Sequence, residues 1–221
     1  MPTQEITLAG AMELTRTGDV WLFRGRTAAD RAIQLVTNSP VNHVGMSVVV
    51  SDLPPLMWHA ELGRSLPDVW SGSRQRGVQL HLLQDAVLAW GHRYDQRAWI
   101  RQLNRPITRE MEDAVLTTIA RLDGTPFPSV TRLAKRWLAG RMPSVIRGRQ
   151  RTDLETAYCA EVLATTFQAM GLLSGKHWPN WYDAGRFWSG NDLSLSAGYE
   201  FGGEIAVQIP PGNTQPTAHP R

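Results

Sequence analysis

One cysteine, Cys159, occurs in 221 residues, within AYCAEVLATTFQAMG. Val162, Leu163, Phe167 and Met170 follow it at helical spacing, and the segment predicts a helix with Cys159 in its first turn. A thiol there feels the positive end of the helix dipole and the unpaired N–H groups of the first turn. Both favour the thiolate, and the same N–H groups suit an oxyanion forming on an attacked acyl carbon. The competing reading is a small buried hydrophobe, because Cys159 shares the apolar stripe of its helix. A nucleophile needs a base, and His43 supplies a candidate at the head of HVGMSVVV. Strand alternation puts Val44, Met46 and Val48 on one face and His43, Gly45 and Ser47 on the other. The small residues of that second face predict an open groove in front of His43. The next apolar run, LMWHAEL, puts Met57, His59 and Glu61 on one face. If the two runs pair, His59 or Glu61 lies beside His43, strands being about 4.8 Å apart. Either could accept the His43 ring N–H and fix its tautomer, as the third member of a nucleophile–base–orienter set does. His81, in GVQLHLL, is a spare; His92, His177 and His219 fall in loops or the tail and receive no role.

The elements that must position these groups follow from pattern. Gly18-Asp19 turns into a strand at 20–25. Thr27 caps a helix to residue 37, and strands follow at 43–50 and 56–62, joined through Pro54-Pro55 as an antiparallel hairpin. Further strands are predicted at 77–83, 97–103 and 203–209. Thr108 caps a helix ending at Gly124, and residues 129–141 read as a basic helix with Val130, Leu133 and Trp137 on one stripe. Segregated strands and helices give an α+β class, here an antiparallel sheet or partial barrel packed against helices. A single domain over 1–210 is expected, with a basic elaboration at 129–151 and a disordered tail at 211–221.

Composition narrows the functions. Hydrophobic residues make up 42% and charged residues 19%, which suits a globular core. A lone cysteine excludes internal disulfides and CxxC sites. No run nears the ~18 apolar residues of a membrane span, and no signal peptide is read, so a cytoplasmic location is expected. Seven of the positive charges behind the net +3 lie between Asp123 and Asp153 (Arg132, Lys135, Arg136, Arg141, Arg147, Arg149 and Arg151), so the remainder is net acidic. Beside Val130, Leu133, Trp137 and Leu138 these arginines suit an ordinary amphipathic cap with its arginines in solvent, with weak contact to an anionic membrane surface as the alternative. No nucleic-acid module accompanies them.

The order GDVWLF, SPVNHVGMSVVV, MWHAE, AYCAEVLATTFQAMG resembles the circularly permuted NlpC/P60 superfamily of papain-like hydrolases, and within it the YiiX/YaeF-like branch. Ser39-Pro40-Val41-Asn42-His43-Val44-Gly45 and Tyr158-Cys159-Ala160-Glu161-Val162 carry the likeness, which spans roughly residues 17–172. The resemblance implies Cys159 as nucleophile and His43 as base. At the third position that branch has Glu-Ala where this chain has His59-Ala60, similar to the histidine of lecithin:retinol acyltransferase-like proteins; Glu61 is the rival. The implied activity is a cysteine hydrolase that forms a thioester acyl-enzyme and cleaves an amide bond. Lipid acyl hydrolase, thioesterase and acyltransferase are the alternatives on the same Cys–His pair. Tyr158, Ser47 and Trp181 are expected to touch a small-molecule, peptide or lipid acyl substrate, and no cofactor is expected. Two other classes remain: a zinc site of Cys159, His43 and His59, and a non-catalytic binding module with an aromatic groove. Neither CxxC nor HExxH supports the zinc site.

Overall fold

The computed structural model describes residues 4–25, 40–61, 63–126, 152–190 and 193–212. The expected helix at 27–37, Ser39, the basic segment at 129–151 and most of the tail lie outside them. Seven strands form one mixed sheet: β1 (Glu5–Thr7), β2 (Val20–Arg24), β3 (His43–Val48), β4 (Leu56–Glu61), β5 (Gly77–Leu82), β6 (Arg97–Arg101) and β7 (Ile205–Gln208). Their spatial order is β1-β7-β6-β2-β3-β4-β5. Among the described strands β1 and β7 pair in parallel, and the other pairs are antiparallel. The helices are α1 (Leu8–Leu14), α2 (Leu83–Tyr94), α3 (Arg109–Leu122) and α4 (Thr152–Ala169), with 3-10 turns at Pro179–Trp181 and Ala184–Phe187. The class is α+β, as the pattern predicts.

The hairpin of β3 and β4 and the strands at β2, β5, β6 and β7 match the apolar runs of the sequence. Helix α3 starts where Thr108 accepts a hydrogen bond from the Met111 N–H. Helix α2 does not announce itself in the sequence. It follows β5 without a break, and its N-cap, Leu82, has no side-chain oxygen to offer. Its end is marked only by Asp95 in the left-handed conformation, φ 47°.

Both faces of the sheet are covered. On one, α4 packs over Leu22, Val44, Met46, Trp58 and Ala60. On the other, α1 and α2 pack over Trp21, Phe23, Met57 and Ile100. Every residue of β3 and β4 is therefore buried, on both sides of the pleat.

Two sequence expectations change here. The groove expected above Gly45 is filled by Met57, since a Cβ on Gly45 would overlap the Met57 sulfur. Glycine is required there by close packing, and Met57 occupies the space directly above it. Ser47, expected to touch substrate, is a fastener. Its hydroxyl lies 2.7 Å from the Arg16 carbonyl and 3.0 Å from that of Asp19. Asp19, fully buried, locks the same turn by accepting the N–H groups of Arg16 and Leu103, each at 2.9 Å. Gly18, at φ +93°, makes the turn possible. Gly45→Ala should cost roughly 1–3 kcal/mol, the range for overpacking a full core. Urea denaturation of Gly45→Ala, Met57→Ala and the double variant tests this: the double variant should lose less than the sum. Strict additivity would contradict the contact.

Candidate metal centre

The antiparallel register of β4 and β5 sets Met57 opposite His81, His59 opposite Gln79 and Glu61 opposite Gly77. Directly opposed residues project from the same face. That face is the one under α2, so His59, Glu61, Gln79 and His81 enter one buried layer. His43 joins them from β3. The residues with which His43 alternates into this layer are glycine and serine, and its cross-strand neighbour on β2, Phe23, is apolar.

Trp90 of α2 wedges into the layer. Its ring centroid is 4.7 Å from His43, 4.8 Å from His59 and 4.6 Å from Phe23. The imidazoles of His43 and His59 meet edge to face at 5.4 Å, and those of His59 and His81 lie at 4.9 Å. His59 Nε2 is 3.1 Å from His81 Nδ1. Glu61 accepts a hydrogen bond from Ser65 Oγ at 2.9 Å and another from the Trp90 side chain. One ligand atom each from His59, Glu61 and His81 lies within 4.8 Å of the others, and all three residues are buried.

Desolvation dominates the electrostatics. It lowers the His43 pKa to about 3, with the nearby His81 adding to the effect. It lowers His59 well below the ordinary histidine value, with His81 and His43 adding, and His81 to about 4 against the pull of Asp68. It raises Glu61, opposed by the hydrogen bonds from Ser65 and Trp90 and by the charge of Arg93. All three imidazoles are therefore neutral at physiological pH, each with one bare ring nitrogen. His43 Nε2, His59 Nδ1, His81 Nε2 and both amide atoms of Gln79 are buried without a hydrogen-bond partner among the described residues. Such a concentration in one layer calls for an ion or water, since buried polar atoms are otherwise paired.

A cation fits the arrangement. Two nitrogens held about 2.0–2.1 Å from a tetrahedral zinc stand roughly 3.3 Å apart. The observed 3.1 Å between His59 Nε2 and His81 Nδ1 is close to that spacing, so replacing the shared proton with an ion needs little movement. Glu61 supplies a carboxylate, and its hydrogen bonds from Ser65 and Trp90 are the outer support that metal-ligating carboxylates carry.

The sequence-selected residues divide between the two faces. His43, His59 and Glu61 come together, with the spare, His81, and with Gln79, which no motif marked. Cys159 does not join them. It is fully buried in the core cluster on the α4 side, with Val44, Trp58 and Ala60, so the sheet lies between it and the histidine layer. Nor does it open a helix. Helix α4 begins at Thr152, so Cys159 is its eighth residue and its N–H lies inside the i→i−4 ladder. The oxyanion role read from a first-turn thiol loses its basis. Tyr158 is buried in that same core. Trp181 stacks on His177 at 3.9 Å and under the Arg186 guanidinium at 4.1 Å, in a 3-10 turn packed on α4.

Fold and layer together define an α+β protein with a mixed seven-stranded sheet and a buried histidine–carboxylate cluster. No protein-family model matches the chain, and no curated protein matches it. Among solved structures, the chain is similar to the metalloprotein yiiX of Escherichia coli O157:H7, at 22% identity and a TM-score of 0.45, over 70% of this chain. The match spans 65% of the length of yiiX, whose name the YiiX/YaeF-like branch carries. No helix among the described residues is long and apolar enough to cross a membrane.

The neutral imidazoles make metal-free protein acid-sensitive. A histidine with a depressed folded-state pKa leaves the unfolded chain holding more protons, so its contribution is complete above about pH 6.5 and lost as pH falls. For His81 the window runs from 6.5 down to about 4, worth on the order of 3 kcal/mol. Urea midpoints measured with chelator present should fall across that window, and less steeply in His81→Leu. An equal slope in both proteins would contradict the assignment.

Proposed function

We propose that this chain is a metal-dependent hydrolase whose divalent ion, zinc by donor chemistry, is held by His59, Glu61 and His81. The observation that carries the reading is the buried donor set itself: two neutral imidazoles and one carboxylate converging within 4.8 Å. Two histidines and a glutamate form a catalytic zinc set, with a fourth position for water. Bound there, an ion lowers the pKa of that water toward neutrality. Glu61 balances one of the two positive charges, Ser65 and Trp90 hold Glu61, and Trp90 shields the layer from bulk water. The substrate class carried by this reading is an acyl compound, amide or ester.

The thiol hydrolase on a permuted papain-like frame is the second reading. One observation favours it: α4, which carries Cys159, packs directly on β3 and β4, the strands that carry His43 and His59. It requires the Cys159 thiol and the His43 ring to meet around the sheet, which the alternation of β3 opposes.

Elemental analysis of protein purified without chelator separates the two. Wild type should retain about one equivalent of metal through dialysis. His81→Ala and Glu61→Gln should lose at least about 10–100-fold in affinity, the loss typical even for supporting residues. Cys159→Ser should bind like wild type. No retained metal after loading with zinc, or loss of metal in Cys159→Ser, would overturn the proposal.

A further inference from the structure

Gln79 is fully buried and directly opposes His59 across the β4–β5 ladder. Its side chain therefore enters the same layer as His59, Glu61 and His81. Its amide nitrogen and oxygen both lack a hydrogen-bond partner among the described residues. A primary amide buried with neither end satisfied is costly, in the range of ~2–7 kcal/mol depending on the reference. An apolar residue would fill the place without that cost, as Val78 and Leu80 do on the other face of β5. A polar group kept in a dry layer beside a ligand set suits a partner that arrives with the ion.

We infer that Gln79 binds the exogenous oxygen ligand of the metal, with its Nε2–H donating to a small oxyanion or carboxylate held at the fourth coordination position. The inference rests on the metal reading above and names the ligand class of that site. The neighbouring groups divide the labour. Glu61 is an acceptor and repels an anion, and His59 Nε2 and His81 Nδ1, 3.1 Å apart, are spent on the ion. The Gln79 amide is an uncharged donor with no partner among the described residues, and it stays a donor at any pH. Burial limits the ligand to small size. The site's shallow side is at Glu61 and His43, exposed by 4% and 6%, while Gln79 and both histidine ligands have no exposure. Acetate, or the carboxylate end of a short acyl product, is the matching chemistry.

Cobalt(II) substituted into the full chain provides the readout, because its visible spectrum responds to the fourth ligand. Acetate titrated into the cobalt protein should change the spectrum of wild type saturably. Gln79→Leu should take up the same cobalt but bind acetate on the order of tenfold more weakly, the loss of one hydrogen bond to a charged group. Gln79→Met, a closer match in shape, guards against a folding failure and should behave alike. Equal acetate affinity in wild type and both variants, or no acetate response in fully loaded wild type, overturns the inference and leaves the metal reading standing. No cobalt uptake by wild type overturns the metal reading.

Discussion

A sheet covered on both faces takes every side chain of its central strands out of water, whatever its polarity. Helix α4 on one side and α1 with α2 on the other do this to β3 and β4. The apolar residues gain from the burial, at about 25 cal/mol for each Å² removed from water. The polar ones must be satisfied inside or carry a cost. Most of the buried polar groups are satisfied: Asp19 by three N–H donors, Ser47 by two carbonyls, and Asp68 by the N–H groups of Leu80 and Ser71. The histidine layer gathers five of the buried polar atoms that lack a partner among the described residues, and its chemistry follows from that. Desolvation keeps the imidazoles neutral, and two neutral rings that meet nitrogen to nitrogen at 3.1 Å beside a carboxylate are a donor set suited to a divalent ion.

The same covering divides the molecule in two. A strand sends alternate side chains to opposite faces, so the residue after His43 already belongs to another compartment. Val44 lies with Cys159 and Phe167; His43 lies with Trp90 and His59. A nucleophile on α4 and a base on β3 can share a strand and a helix contact and still be separated by the thickness of the sheet. The lone cysteine is buried in the core cluster that also holds Val162, Leu163 and Ala164.

Much of this was legible in the sequence. Apolar runs with period two located β2 to β6, and turn residues at Pro54-Pro55 located the hairpin. The shared face of His59 and Glu61 follows from their spacing alone, and so does the partnership of His43 and His59 once the strands pair. What the sequence could not show was the register of β5. His81 and Gln79 alternate with Val78 and Leu80, which identifies a face but not which neighbours it meets. Ser-Gly-Arg-rich residues between β4 and β5 leave that pairing open, and only the ladder brings His81 diagonal to His59. Helix α2 was hidden by its lack of a capping side chain, and with it Trp90, the residue that closes the layer. Helix α4 starts at Thr152, ahead of the segment whose spacing marked the helix, and the first-turn part of the case for an activated thiol goes with it.

The proposed ion would sit among His59, Glu61 and His81, on the face of the sheet away from Cys159. Anomalous diffraction from crystals of the zinc-loaded protein, recorded on either side of the zinc edge, tests it most directly. The account predicts a single strong peak about 2.0–2.2 Å from ligand atoms of those three residues. A peak bonded to the Cys159 sulfur, or no peak in the histidine layer of zinc-soaked crystals, would contradict it.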